Sequence, residues 1–264
     1  MSEAQLRVEK QDYICTLTLS NLKKKNAVTP AMFEEIHSTL SDLSRDDDVR
    51  TVVLRGDGEE FYSAGYDIGD LTPEDESEAQ INARLDRIAA AADSLRDFRY
   101  PVICMIYGIA FGAALELAVN CDLRIVSDEA RFAMTPAKLG IVYRPAGILP
   151  FLNLVGVSHA KEIFLSGRVI DAPHAQRIGL VNHVVPNDEL DQFTYDFARA
   201  MSRNAPISLR GMKRIITMLT PQHQLNSAEQ REVQDLLNLC FNSEDYREAQ
   251  RCFYERRKPV FTGR

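Results

Sequence analysis

Two short turns rich in small residues are the features of this sequence best suited to chemistry. They are FYSAGYDI at residues 61–68 and GIAFGAALEL at residues 108–117, and they follow the apolar runs 51–54 and 102–106. Small residues at the end of a buried strand leave backbone N–H groups accessible. Taken alone, either turn is explained as a tight turn. Together they predict an oxyanion hole, in which two N–H donors stabilise a negatively charged oxygen such as that of an enolate.

Glu116 is the acidic residue in the second turn, eight residues after Gly108 and inside the apolar stretch 113–119. A carboxyl group among such neighbours loses its hydration when the chain folds, which raises its pKa and suits it to acid–base catalysis. The alternative is an exposed glutamate near a helix N-terminus, favoured by the helix dipole. The apolar neighbours favour the buried, catalytic interpretation.

The elements that must position these residues alternate between strands and helices. Apolar runs predict strands at 14–19, 52–54, 102–106 and 123–126, and Thr29 and Pro30 open a helix between the first two. One face of that helix carries Met32, Phe33, Ile36 and Leu40. The alternation predicts a layered α/β fold at residues 1–200. From residue 206 onward the apolar residues recur at helical spacing, which predicts a C-terminal helical region at residues 201–264.

Composition narrows the class of protein. The net charge of −7 disfavours general nucleic-acid binding. No apolar run reaches the roughly 18 residues of a membrane helix and the N-terminus lacks a signal sequence, so we expect a cytoplasmic protein without a membrane partner. The five cysteines and five histidines lack disulfide or metal spacing, which predicts reduced core thiols and no metal site. No dinucleotide or P-loop motif is present, which argues against NAD or ATP.

The sequence resembles the crotonase (enoyl-CoA hydratase/isomerase) superfamily over nearly its whole length. The matching segments are 26–27, 61–68, 108–122, 132–140, 175–185, 205–206 and 242–259. The resemblance implies a spiral of ββα units and an acyl-CoA thioester substrate, with coenzyme A carried by the substrate and no separate cofactor. It also implies that the C-terminal helices pack into a homotrimer or, by stacking two trimers, a homohexamer. Packing of those helices within one chain is the alternative.

The same resemblance assigns roles within the two turns. The backbone N–H groups of Tyr66 and Ala113 would form the oxyanion hole, and Glu116 matches the first catalytic glutamate of the hydratases. The second glutamate of the hydratases is replaced here by Pro136. The pair of glutamates that fixes and deprotonates the attacking water is therefore incomplete, which argues against ordinary two-glutamate hydration.

Residues 134–143 and 243–246 resemble the bacterial methylmalonyl-CoA decarboxylases of this superfamily, which share Tyr143. Those enzymes carry histidine where this chain has Tyr66 and glycine where it has Ala113. Loss of CO₂ creates an enolate without a base, so the resemblance predicts decarboxylation of methylmalonyl-CoA or a similar malonyl-type thioester, with the Tyr143 hydroxyl near the carboxylate. The alternative is that Tyr143 is an ordinary buried tyrosine whose hydroxyl is hydrogen-bonded by the backbone. The alternative functions are an enoyl-CoA isomerase, an atypical single-glutamate hydratase and a non-catalytic acyl-CoA-binding protein.

The resemblance also points to residues that would hold coenzyme A. They are Lys24, Lys25, the backbone of Ala64, Phe253 and Arg256, the last two reaching the nucleotide of a neighbouring subunit. Arg256 replaces a lysine of the family, and its guanidinium still suits a phosphate. A solvated charged surface is the alternative for the basic residues. The acidic stretch 70–80 is predicted to be a lid over the acyl pocket or a solvated linker.

Overall fold

Two β-sheets form the frame of the protein in a computed structural model that describes residues 4–67, 77–220 and 225–263. The strands are β1 (Gln5–Gln11), β2 (Ile14–Ser20), β3 (Thr51–Gly56), β4 (Val102–Ile106), β5 (Ile109–Phe111), β6 (Leu123–Ser127), β7 (Arg131–Ala133), β8 (Ile170–Asp171) and β9 (His183–Val185). The larger sheet has the order β1-β2-β3-β4-β6-β9, and the smaller has the order β5-β7-β8. β1 is antiparallel to β2, and the rest of the larger sheet is parallel.

The central strands are apolar because both faces of the parallel sheet are covered. Every residue of β2 and β4 is buried, as expected for a parallel sheet between layers. All four strands predicted from apolar runs are present. The α/β class is therefore confirmed.

Helices cover the sheets. They are α1 (Pro30–Leu43), α2 (Glu78–Asp97), α3 (Ala113–Val119), α4 (Pro145–Ser166), α5 (Ala172–Arg177), α6 (Leu190–Ser202), α7 (Pro206–Leu219), α8 (Ser227–Phe241) and α9 (Glu244–Glu255). The start of α1 is confirmed: the Thr29 side chain accepts from the Met32 N–H at 3.3 Å. The four apolar residues predicted on its inner face are all buried.

Helix α4 corrects one prediction. It is 22 residues long with a mean hydropathy of 1.3, so by length and composition it passes the test for a membrane-spanning helix, contrary to the expectation that no segment would. Gly156 has φ 73° and ψ 171°, which breaks the helix near its middle. Each half is then too short for the roughly 20 helical residues that a bilayer requires.

The last two helices fold back onto the core of their own chain. The Cys240 thiol of α8 donates to the Gly140 carbonyl at 2.8 Å and accepts from the Val142 N–H at 3.1 Å. In α9, Tyr246 lies so close to Gly140 that a Cβ on this glycine would come within 3.0 Å of the Tyr246 Cα. Packing within the chain, the alternative to purely intermolecular packing, is thus observed for α8 and α9.

Two smaller predictions have separate outcomes. All five cysteines are buried and unpaired, as predicted. Of the acidic stretch 70–80, residues 70–76 lie outside the described part of the chain, so the lid remains a prediction. Ser77 caps α2 with a reciprocal capping box to Gln80, which places residues 77–80 at a helix start.

Candidate active site

The two turns predicted to act together lie side by side. Ser63 pairs with Ala110 in a parallel β-bridge. The Ser63 N–H donates to the Ile109 carbonyl at 2.9 Å, and the Phe111 N–H donates to the Ser63 carbonyl at 3.2 Å. These bonds fix the first turn against β5 and the start of α3.

Gly65 permits the close approach of Tyr66 to Ala113. Its φ is +107°, and a Cβ at this position would lie 2.8 Å from the Phe111 carbonyl oxygen and 3.7 Å from the Ala113 nitrogen. Any side chain here would collide with the second turn and strain the backbone. The backbones of Tyr66 and Ala113 therefore reach the same corner of the molecule.

A cavity of about 310 Å³ opens from this corner. Its walls come from the first turn, α2, α3, residues 135–147 and the C-terminal helices α8 and α9. Pro136, which the resemblance placed at the position of the second glutamate of the hydratases, lines the cavity. Among the described residues, Glu116 is the one carboxyl group that lines it.

Glu116 is 6% exposed, so the interpretation as a surface glutamate is wrong. Burial raises the pKa of its carboxyl from 4.5 to about 7, and the hydrogen bond from Tyr143 partly opposes that rise. Burial also raises the pKa of Tyr143 well above its ordinary value, and the nearby Glu116 carboxyl adds to the effect. A carboxyl group with a pKa of about 7 is suited to acid–base catalysis at neutral pH.

The Tyr143 hydroxyl donates to Oε2 of Glu116. The interpretation of Tyr143 as a tyrosine satisfied by backbone is therefore wrong, because its partner is the buried carboxyl. The Tyr143 ring packs against Phe164, with ring centroids 5.5 Å apart. The hydroxyl and the carboxyl form one hydrogen-bonded unit at the cavity wall.

Gly147, which the sequence did not single out, makes room for this unit. A Cβ on Gly147 would lie 2.5 Å from Cε1 of Tyr143 and 2.9 Å from Oε1 of Glu116. Its backbone φ is ordinary for a helix, so no turn signal marks it. Its importance arises from the tertiary approach of α3 to α4.

The Tyr66 side chain lies between α1 and α2. Its ring stacks on Phe33 with centroids 5.8 Å apart, and the Arg84 guanidinium lies 5.6 Å from its centroid. Tyr66 and Arg84 both line the cavity. The Tyr66 side chain therefore contributes to the shape and the polarity of the cavity.

Arg84, Arg144 and Gln250 are polar cavity residues that sequence reasoning missed. Of these three residues, only Arg84 could have been found from the sequence. It interrupts the buried face of α2, which is formed by Ile81, Ile88, Ala91 and Leu95. A charge at such a spacing marks a position where a helix faces a polar site within the core.

The predicted coenzyme A residues fall into two groups. In the first group, Ala64 lines the cavity, and its N–H donates to the Lys25 carbonyl at 3.0 Å. Lys24 pairs with Asp67 at 2.8 Å. In the second group, Phe253 lines the cavity of its own chain, whereas the resemblance placed it against a neighbouring subunit, and Arg256 ends α9 on the surface.

The histidines are less scattered than their spacing indicated. The ligand atoms of His159, Glu162 and His174 lie within 4.8 Å of one another. Arg168 pairs with Glu162 at 2.7 Å, with its guanidinium 3.4 Å from Nδ1 of His174. The carboxylate of this surface cluster already has a cationic partner.

An α/β fold with a buried carboxyl group beside two converging backbone turns forms a site suited to acid–base chemistry. The comparisons with known proteins give the family: the chain belongs to the enoyl-CoA hydratase/isomerase family, whose sequence model matches residues 9–264. The predicted crotonase fold and family are thereby confirmed. The protein is a crotonase-superfamily enzyme of acyl-CoA substrates.

Three relatives illustrate the range of activities. Methylmalonyl-CoA decarboxylase of Escherichia coli K12 is 31% identical over the full length of both chains. The mitochondrial Δ(3,5)-Δ(2,4)-dienoyl-CoA isomerase of Dictyostelium discoideum is 29% identical over 97% of this chain and 90% of its own. A solved structure of methylmalonyl-CoA decarboxylase complexed with 2S-carboxypropyl-CoA is 30% identical, covers both chains fully and has a TM-score of 0.90.

Proposed function

We propose that this enzyme decarboxylates methylmalonyl-CoA or a similar malonyl-type thioester. One observation carries the proposal: the cavity holds one described carboxyl group, Glu116, hydrogen-bonded to Tyr143, with Pro136 where hydration would need a second glutamate. The full-length similarity to the methylmalonyl-CoA decarboxylase of E. coli supports the same choice.

In the proposed reaction, the bond between the α-carbon and the carboxylate breaks and CO₂ leaves. The electron pair passes into the thioester, which becomes an enolate. The N–H groups of Tyr66 and Ala113 would bind the enolate oxygen, and such a donor typically contributes about 10²–10³-fold in rate. The α-carbon then takes up a proton, which gives the product thioester.

Glu116 and Tyr143 would serve this last step and the orientation of the substrate. A carboxyl group with a pKa of about 7 is partly protonated at neutral pH, so it can deliver the proton to the α-carbon. The Tyr143 hydroxyl holds the carboxyl group in one orientation. Both groups line the same cavity as Tyr66 and Ala113.

We propose that Lys24, Lys25, Ala64, Phe253 and Arg256 contact the coenzyme A portion of the substrate. Ala64 and Phe253 line the cavity, and the lysines adjoin Ala64 through the hydrogen bond of its N–H to Lys25. A phosphate-bearing ligand would be attracted to the basic side chains. The nucleotide end would then lie at the entrance and the acyl end beside Glu116.

Isomerisation of an enoyl-CoA is the second candidate. A single carboxyl group with a pKa near neutrality can take a proton from one carbon and return it to another. The similarity to a dienoyl-CoA isomerase also favours this reaction.

A mass-spectrometric time course decides between these reactions. The purified enzyme is incubated with methylmalonyl-CoA and, separately, with crotonyl-CoA and 3-hexenoyl-CoA. We expect propionyl-CoA to form from methylmalonyl-CoA well above the rate without enzyme. Gain of water by crotonyl-CoA, or a change in retention of 3-hexenoyl-CoA without a change in mass, with no CO₂ loss, would contradict decarboxylation.

The variant Glu116→Gln separates the two mechanisms further. Because CO₂ loss needs no base, we expect decarboxylation to stay within about tenfold of the wild type, with water supplying the final proton. An isomerase would lose the general acid–base contribution, typically about 10²–10⁴-fold. The measurement is the initial rate with each substrate for both proteins.

A further inference from the structure

Two histidines and a glutamate meet where α4 packs against α5. His159 and Glu162 lie one helical turn apart on α4, in the half that follows the break at Gly156, and His174 lies on α5. One ligand atom from each of the three residues lies within 4.8 Å of the others. Imidazole and carboxylate groups are the protein ligands that Zn²⁺ and similar transition metals commonly take. The cluster is therefore of the right chemistry for such an ion.

The contact between His159 and Glu162 already has the spacing of two metal ligands. Nδ1 of His159 lies 3.5 Å from Oε2 of Glu162. Tetrahedral Zn²⁺ binds nitrogen and oxygen at about 2.0–2.2 Å, which places two of its ligand atoms about 3.3–3.6 Å apart. The third ligand, His174, has a partly exposed side chain. A small rotation of that side chain brings its imidazole to the same ion.

Nδ1 of His159 is also a buried atom that calls for a partner. It accepts or donates no hydrogen bond within residues 4–67, 77–220 and 225–263. Buried ring nitrogens are normally hydrogen-bonded, because an unsatisfied polar atom away from water costs free energy. A metal ion placed between this nitrogen and the Glu162 carboxylate satisfies both groups at once.

Arg168 shows that a positive charge fits among these ligands. Its Nη2 lies 2.7 Å from Oε1 of Glu162 and 3.4 Å from Nδ1 of His174, so one cationic nitrogen contacts two members of the cluster. The Arg168 side chain is half exposed, and exposed ion pairs contribute little to stability. Arg168 can therefore turn into solvent when a divalent cation takes its place.

We propose that His159, Glu162 and His174 form a binding site for a divalent transition-metal ion, and that Arg168 competes with the ion for Glu162. Three protein ligands leave one position of a tetrahedral ion for water. None of the three is among the described residues that line the acyl cavity, so the ion joins α4 to α5 and is independent of the proposed function. The spacing of histidines in the sequence predicted no metal site, because the fold alone brings His174 to the pair on α4.

Titration calorimetry with ZnCl₂ tests the site, using protein without an affinity tag and freed of metal by a chelator that is then dialysed away. We expect saturable binding of about one ion per chain. His159→Ala and His174→Ala should each weaken binding at least about 10–100-fold, the loss caused even by removing a group that only supports a metal ligand. Arg168→Gln, which removes the competing charge, should strengthen it several-fold.

His37→Ala is the matched control. His37 is a surface histidine on α1 whose Nδ1 contacts the Ser94 hydroxyl, so this variant should bind Zn²⁺ like the wild type. Circular dichroism checks that each variant is folded. Because an ion that binds only the folded state stabilises it, excess Zn²⁺ should raise the Tm of the wild type and of His37→Ala. It should not raise the Tm of His159→Ala or His174→Ala.

Electron paramagnetic resonance with Cu²⁺ as the probe identifies the ligands in the unaltered protein. The wild type should show coupling to two imidazoles, and His174→Ala to one. Two results would overturn the site. One is the absence of saturable Zn²⁺ binding by the wild type. The other is binding that both histidine variants retain unchanged, which would place the ion elsewhere, such as at a cysteine.

Discussion

At the scale of single residues, the centre of the site is a carboxyl group that folding has removed from water. The unfolded chain titrates Glu116 near 4.5 and the folded chain near 7. Between these values the folded state holds a proton that the unfolded state has lost. Burial of the protonated carboxyl therefore costs little free energy. Burial of the ionised form is unfavourable, so the free energy of unfolding falls as the pH rises to about 7.

This linkage predicts the behaviour of Glu116→Gln. Its neutral amide removes the titration, so the variant should match the wild type near pH 4.5 and exceed its free energy of unfolding by roughly 2–3 kcal/mol at pH 8. Urea denaturation of both proteins at several pH values measures the difference. Glu129→Gln, at an exposed position, is the control and should show no such trend. A constant difference across pH would contradict the raised pKa.

Gly147→Ala tests the tertiary approach that joins Glu116 to Tyr143. The added methyl group would lie 2.5 Å from Cε1 of Tyr143 and 2.9 Å from Oε1 of Glu116, so the ring, the carboxyl or both must shift. Overpacking of this kind typically costs about 1–3 kcal/mol, and we expect decarboxylation to fall several-fold with loss of orientation, within the roughly tenfold limit expected for Glu116→Gln. Tyr143→Phe should lower turnover similarly.

Gly211→Ala is the matched control for that variant. Gly211 lies within α7, and no described atom would be within 4 Å of its added Cβ. Alanine favours a helix over glycine by about 1 kcal/mol, so this variant should keep full activity and melt slightly higher. Full activity of Gly147→Ala would show that Tyr143 need not stay in its place.

At the scale of elements, α3 is held in position from its C-terminal end. Arg124, at the start of β6, is 2% exposed and donates through its Nε to the Leu180 carbonyl at 2.7 Å. A second donor of its guanidinium binds the Cys121 carbonyl at 2.7 Å. Positive charge at a helix C-terminus also suits the helix dipole. Arg124 thus fastens the helix that carries Glu116 to the neighbouring strand and loop.

Arg124→Met should leave these buried carbonyls without donors. Each unsatisfied group typically costs about 1–3 kcal/mol, so we expect a loss of about 3–5 kcal/mol in the free energy of unfolding, measured with urea. Arg131→Met is the control, because the Arg131 guanidinium bonds backbone carbonyls at an exposed position, and it should cost less than about 1 kcal/mol. Equal effects would mean that burial of Arg124 contributes little.

The elements also show how much of the fold and of the site can be predicted from the sequence. The apolar runs predicted the central strands, because burial on both faces leaves a continuous apolar run. The polar cavity residues Arg84 on α2 and Gln250 on α9 were missed. Arg84 meets Tyr246 across 162 residues, and no local pattern encodes such a contact. Only the charge in the buried face of α2 pointed toward it.

At the scale of the whole molecule, the C-terminal helices differ in what their apolar side chains face. Helices α8 and α9 complete the cavity of their own chain through Phe241, Gln250 and Phe253. Helix α7 instead turns apolar side chains outward: Ile207 is 74% exposed and Leu219 is 76% exposed. Large exposed apolar faces are typical of interfaces between subunits.

The outward face of α7 therefore favours the predicted homotrimer or homohexamer, and Ile216→Asp with Leu219→Asp tests it. A charge buried in an apolar interface is strongly unfavourable, so the double variant should be monomeric in native mass spectrometry while the wild type is trimeric or hexameric.

Gln234→Asp, which adds a charge at an exposed position of α8, is the control and should keep the wild-type assembly. Because the described cavity is built from one chain, the monomer should retain binding of the acyl portion. A monomeric wild type would contradict the prediction and leave the α7 face to another partner.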